Sequence, residues 1–216
     1  MRKFFQVVSL FLFVLFLTFG CKLDTSVELY VGDILDAFSE DLSTQGRLKA
    51  YMSSEKACTE NKEKVVKIIS SYMGEVKEEG CQSEGMSNFL VLAVNFPVTS
   101  QDNTNLYHIF VTGSESNAHV FLKLNREKFN GLNAEIDKEF NDGIDLDEST
   151  IHIKLVNDQR KSITMFSNSV FINKNPILES ELLIDRRKSI DIEFSNVHSA
   201  HFEKNNEVKL FNLLMN

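Results

Sequence analysis

Apolar and polar positions alternate along much of this chain, and the alternation comes in two periods. A period of two runs through Ile151, Ile153 and Leu155, returns over residues 163–166, and appears again at Ile190, Ile192 and Phe194, which predicts half-buried strands. Residues 106–112 and 118–124 flank the polar loop 113–117 and predict a paired hairpin. Residues 88–97, NFLVLAVNFP, form an unbroken apolar run of strand length, as expected for a strand covered on both faces. Residues 46–53 read as a further strand, and residues 208–214 (VKLFNLL) as a final strand or docked helix.

A helical period appears twice at length. Thr59 can cap a helix over residues 60–73, with Glu60 and Glu63 near its positive end, Val65, Ile69 and Tyr72 or Met73 on one face, and Gly74 as terminator. Asn125 can cap a second helix carrying Phe129, Leu132, Ile136 and Phe140, although Gly131 inside it costs up to ~1 kcal/mol against alanine. Ile34, Leu35, Phe38 and Leu42 suggest a shorter helix behind Asp33. The expected class is α+β, with antiparallel or mixed sheet layers and two main helices. The expected organisation is an α+β subdomain over residues 31–98, a polar connection over 99–105, and a second α+β subdomain over 105–216, or one domain continuous through both.

The N-terminus changes the picture. Arg2 and Lys3 precede an apolar run over residues 7–19 that is too short for a relaxed membrane span, which needs about 20 residues, and that ends at Gly20 before Cys21. Residues 1–20 therefore read as a signal peptide. The sequence Leu17-Thr18-Phe19-Gly20-Cys21 resembles the bacterial lipobox, although the family pattern places leucine where Thr18 stands and a small residue where bulky Phe19 stands. The resemblance implies cleavage before Cys21 and acylation of that cysteine, with palmitate-type chains as the membrane attachment and residues 21–30 as a tether, disordered over 22–26, leading into a first strand. At ~0.8 kcal/mol per buried methylene, two or three chains would anchor the protein durably. An ordinary secretory signal or an uncleaved anchor, with Cys21 an incidental thiol, is the competing reading.

With Cys21 acylated, Cys58 and Cys81 remain as one pair, and an oxidising compartment would join them. A helix over 60–73 is about 21 Å long at 1.5 Å per residue. A strand over 75–80 covers about 20 Å on the way back, so Cys81 would return to Cys58. Such a bridge would contribute roughly 3 kcal/mol. A redox pair or two metal thiolates are the alternatives, but the chain has no C-x-x-C and no histidine close to either cysteine.

Charge and motifs exclude more than they assign. The chain carries 23 basic and 31 acidic residues, a formal charge of −8, and loss of Arg2 and Lys3 would make it more negative still. No basic stripe interrupts the acids, which argues against a nucleic-acid partner. His198 and His201 form an H-x-x-H, but the preceding segment reads as strand, so solvated loop histidines are expected rather than a metal site. Hairpin pairing about Glu115 would set His108 opposite Leu122 and His119 opposite Val111, on opposite faces. Asp142, Asp145, Asp147 and Glu148 lack the order of a calcium loop, and Gly80-Cys81-Gln82-Ser83-Glu84-Gly85 lacks the spacing of a nucleophile elbow. No catalytic residue, metal ligand or cofactor is assigned.

Residues 21–29 (CKLDTSVEL), with Gly80-Cys81-Gln82-Ser83-Glu84-Gly85-Met86 and the upstream Cys58, resemble small lipoproteins of phages and prophages of Gram-negative bacteria, over roughly the first 100 residues. The resemblance implies an envelope protein that alters the host surface, and Lys22 after the acylated cysteine is compatible with sorting to the outer membrane. The expected function is a non-enzymatic, lipid-anchored module on its periplasmic face that binds an envelope protein or glycan. An assembly or pilot lipoprotein and a cell-wall hydrolase are the rivals.

Overall fold

Alternation at the start of the mature region builds the first strand directly. In β1 (Cys21–Tyr30), Leu23, Thr25, Val27 and Leu29 are buried while Lys22, Asp24, Ser26 and Glu28 take the other face. A computed structural model describes residues 21–215, so the proposed signal peptide lies outside the described residues. Then follow α1 (Val31–Asp36), β2 (Leu42–Met52), α2 (Glu55–Met73), β3 (Val76–Glu84), β4 (Ser87–Thr99), β5 (Tyr107–Ser114) and β6 (Asn117–Leu124). The chain continues through α3 (Arg126–Phe140), β7 (Ile144–Asp145), β8 (Ile151–Val156), β9 (Ile163–Ile172), β10 (Asn175–Ile184), β11 (Ser189–Phe194), α4 (Asn196–Asn205) and β12 (Glu207–Met215).

These strands form one sheet in the order β9-β11-β8-β1-β2-β4-β5-β6-β12, and β12 pairs back onto β9 to close a nine-strand barrel. The strands β3, β7 and β10 attach to β4, β1 and β9 respectively. The expected two-helix α+β layering is thereby corrected: the structure is 52% strand and 26% helix, and the helices pack around a closed barrel. Closure abolishes most free sheet edges, which layers would have left exposed. β1 sits between β2 and β8, so residues 31–98 and 105–216 contribute to one sheet.

The expected tether is corrected as well. Residues 22–26 are paired strand: Leu23 lies opposite Ala50, Thr25 opposite Ile151, and Cys21 opposite Ile144. Side chains pin the same segment, since the Leu23 amide donates to Ser149 Oγ at 3.2 Å and the Thr150 amide to Asp24 Oδ1 at 2.7 Å. Lys22 pairs with Glu148 at 3.2 Å.

Both predicted long helices exist, the first with an earlier start. α2 begins a turn earlier than Thr59 implies, because Ser54 accepts a capping bond from the Ala57 amide at 3.0 Å. Cys58 therefore lies in the first turn, and it is disulfide-bonded to Cys81 of β3 across a Cα separation of 6.1 Å. In α3, capped by Asn125, the interior glycine has a packing reason. A Cβ at Gly131 would stand 2.9 Å from the Tyr72 ring of α2, whose hydroxyl donates to Glu135 at 2.9 Å. The hairpin β5–β6 turns one half-residue later than the sequence symmetry suggests. His108 lies opposite Lys123 and His119 opposite Thr112, both on the outer face. A slip of one position moves every side chain to the other face, which is why the expected opposite placement is overturned.

Candidate functional site

The barrel closes imperfectly, and the imperfection makes a groove. β12 pairs with the first part of β9, Asn212 opposite Phe166 and Met215 opposite Ile163, whereas β11 pairs with its last part, Ile192 opposite Ile172 and Phe194 opposite Val170. Between them, Asn168 and Ser169 lie outside the β11 and β12 registers, and Ser167 Oγ reaches the Leu210 carbonyl of β12. The inward-facing parity of β9 changes there, from Ile163, Met165 and Ser167 to Val170 and Ile172, across Ser169 at φ 54°. A left-handed serine inside a strand is uncommon, and it costs energy that a plain ladder would not require. β12 changes parity beside it, from Val208 and Leu210 to Phe211 and Leu213, through a bulge between Lys209 and Phe211.

The helix α4 spans this seam. Together the three elements enclose a groove of about 340 Å³ lined by Phe166, Asn168, Ser169, His198, His201 and Lys209 among others. The H-x-x-H is thus corrected from loop to helix: Asn196–Asn205 places both imidazoles at the groove. Helical spacing of three residues does this, because positions i and i+3 share a face. Phe202 and Ser199, on the buried side of the same helix, fix its rotation; Phe202 stacks on Tyr107 at 6.0 Å, and Ser199 Oγ donates to the Ser149 carbonyl at 2.6 Å.

The hydrogen-bond inventory of the groove is asymmetric. His201 Nδ1 faces the Asn205 amide nitrogen at 3.2 Å and so accepts, leaving its proton on Nε2. His198 Nδ1 lies 3.1 Å from Ser195 Oγ, which can donate to it, and the ring packs edge-on against Phe194 at 5.1 Å. Asn212 Oδ1 can only accept, and it takes a proton from His119 Nδ1 at 2.6 Å, so its amide nitrogen is left as donor. The carbonyl of bulged Leu210 accepts from Ser167 Oγ at 2.9 Å. The lining thus offers the His201 Nε2–H, the Asn212 amide nitrogen and the Lys209 ammonium as donors, beside the Asn168 side chain and the Ser169 hydroxyl, which can also accept. The lining contains no carboxylate. Burial, and secondarily the neighbouring His201, pushes the His198 ring below its ordinary pKa.

A second groove, on the outer face of β1, β2, β8 and β11, offers a contrast. Its charges are already paired: Arg47 with Glu79 at 2.6 Å and Lys154 with Glu28 at 3.0 Å, with His152 4.0 Å from Asp191. The acidic stretch singled out in the sequence is divided by the fold. Asp145 and Asp147 meet Glu203 of α4, with carboxylate oxygens within 4.8 Å of one another, while Glu148 turns to Lys22. A hydrogen bond that the protonated Asp147 carboxyl donates to the neighbouring Asp145 raises its pKa above the usual range. Neither Glu203 here nor Lys209 and Asn212 in the seam carries a local signal that sequence could have used.

A family model matches residues 23–214, from Leu23 in β1 to Leu214 in β12. The chain belongs to that family, the domain of unknown function DUF7424. The DUF7424 match therefore spans the entire closed barrel together with its seam groove, the Cys58–Cys81 bridge and all four helices. A comparison with curated proteins finds no match. The disulfide is consistent with an extracytoplasmic, oxidising environment, and among the described residues no helix is long and apolar enough to cross a membrane.

Proposed function

We propose that this protein is an extracytoplasmic, lipid-anchored binding module whose ligand site is the seam groove between β9, β12 and α4. The observation that carries the site is the polar, carboxylate-free groove in a chain of 31 acidic residues. The barrel interior is filled by buried Leu, Ile, Val and Phe side chains, so binding falls to the surface, as in other packed small barrels. The lipid anchor is supported by the lipobox-like residues 17–21. With β1 paired from Cys21 onward, an acylated Cys21 has no spacer and would hold the barrel against the membrane. A position on the periplasmic face of the outer membrane of a phage-bearing host belongs to the same proposal, supported by Lys22 and the N-terminal resemblance. The partner is an envelope component, glycan or protein.

The anchor is tested by intact mass of membrane-extracted protein, wild type against Cys21→Ala, before and after reduction. Residues 21–216 plus acyl chains are expected in the wild type alone, with two hydrogens gained on reduction; an unacylated or uncleaved wild-type chain would sink the anchor. The site is tested by hydrogen exchange of the full chain with and without solubilised envelope material. Protection confined to residues 166–169 and 208–212 is expected, and protection elsewhere would move the site.

A further inference from the structure

We infer that the β8–β9 and β10–β11 connections form one docking surface for a short acidic segment of a soluble protein, received by Arg160, Lys161, Arg186, Arg187 and Lys188. This surface is separate from the seam groove and independent of the envelope component assigned to it.

The two connections repeat one sequence. The first reads Asp158-Gln159-Arg160-Lys161-Ser162 and the second Asp185-Arg186-Arg187-Lys188-Ser189, each followed by isoleucine. The fold lays them side by side through Asn157, which is fully buried. The Asn157 amide donates to the Lys188 carbonyl at 2.8 Å, and its carbonyl accepts from the Arg187 amide at 2.7 Å. Its side-chain nitrogen donates to the carbonyls of Lys161 at 2.9 Å and Ile184 at 2.8 Å. Five of the 23 basic residues thus stand together, all exposed, on a frame of backbone hydrogen bonds.

None of the five forms an ion pair among the described residues. The two carboxylates within the repeats serve the frame instead. Asp158 accepts from the Gly32 amide at 2.9 Å, and Asp185 accepts from the Ser162 hydroxyl at 3.0 Å. On a chain of formal charge −8, an unpaired cluster of this size is a local field that attracts anions. Its guanidinium forks suit carboxylates, two N–H groups at a time.

The surroundings select a protein over other polyanions. Asp33 and Asp36 of α1 lie beyond Asp158 on one side, and Glu179 and Glu181 lie exposed further back along β10. A nucleic acid or an anionic bilayer carries charge past the cluster and would meet these acids, whereas a short segment would not. Leu183, two positions before Asp185, is 64% exposed, and an apolar side chain rimmed by charge is what a protein interface covers. The connections follow Val156 of β8, which lies opposite Tyr30 at the end of β1, about 30 Å from Cys21 at 3.3 Å per residue. An acyl anchor at Cys21 would therefore turn them away from the membrane and towards soluble proteins.

The test is fluorescence anisotropy of a dye-labelled peptide, Glu-Glu-Leu-Glu-Glu-Leu-Glu, titrated with the full chain in non-ionic detergent. Saturable binding is expected, weakening as salt rises from about 50 to about 300 mM. Arg160→Gln combined with Arg186→Gln should weaken it about tenfold, the loss of two exposed charge pairs. Leu183→Ser should weaken it while keeping the salt dependence, and Lys67→Gln, at an exposed lysine of α2, should change nothing. Urea midpoints equal to wild type show that each variant is folded. No saturable binding, wild-type affinity in the double arginine variant, or an equal loss in Lys67→Gln overturns the inference. Tighter binding of oligothymidylate or of anionic phospholipid micelles than of the peptide, at the same salt, also overturns it, in favour of a phosphate polyanion.

Discussion

His108 is the group through which acid should destabilise this fold. It lies on β5, opposite Lys123, only 5% exposed, and neither ring nitrogen has a hydrogen-bond partner among the described residues. Burial, reinforced by the Lys123 charge and only partly opposed by Asp102, pushes its pKa from 6.5 down to about 4. The folded chain therefore keeps the ring neutral over a range in which the unfolded chain protonates it. The sign follows from linkage: the stability is complete above about pH 6.5 and is lost as the pH falls towards 4. Between about pH 8 and pH 5 this ring alone should remove about 2 kcal/mol, a substantial part of the marginal stability of a domain. Urea unfolding of wild type and His108→Leu at both pH values isolates the contribution, because every other titrating group is common to the two proteins. The variant should lose about 2 kcal/mol less than wild type on acidification. Equal losses would refute the argument and place a hydrogen-bond partner on the ring.

Three further outcomes follow from packing. Tyr107 is fully buried between Phe96 and Phe202, and its hydroxyl has no hydrogen-bond partner among the described residues, so Tyr107→Phe should leave stability unchanged or raise it by about 1 kcal/mol in denaturant unfolding; a clear loss would reveal a bonded hydroxyl. Replacing Cys58 and Cys81 together by alanine should cost about 3 kcal/mol, read as a lowered urea midpoint, and an unchanged midpoint would mean that the bridge closes a segment ordered without it. Gly46→Ala should cost roughly 1–3 kcal/mol, since the new methyl would meet the Phe96 ring at 2.5 Å and the Ser26 carbonyl at 2.7 Å; full stability would show that Phe96 can turn aside.

Much of the barrel was present as pattern before it was present as structure. The alternation in residues 151–155, 163–166 and 190–194 and the apolar run 88–97 correspond to β8, β9, β11 and β4, and both long helices lie where their apolar period placed them. What was misjudged was how far strands extend. Residues 167–184 lack clean alternation, because Ser169 shifts the phase of β9, and Glu179 and Glu181 interrupt β10, the strand attached outside the ring. A phase shift erases the very signal by which a strand is recognised. The H-x-x-H was visible, but its meaning was not, because the strand β11 ends only at Phe194 and the helix begins at Asn196 without a side-chain cap.

By itself, the sequence determined the local menu: which segments extend, which coil, where Gly74 ends a helix, and that Cys58 and Cys81 could meet. These depend on side-chain periodicity and on interactions within a few residues, and both are written along the chain. Only the tertiary structure decided that the strands close on one another and that β1 joins the two halves. It alone brought Ser169, His198, His201, Lys209 and Asn212 to one groove. Closure depends on register and twist summed over nine strands, and the groove arises where two phase shifts coincide, so neither leaves a trace in any short stretch of residues.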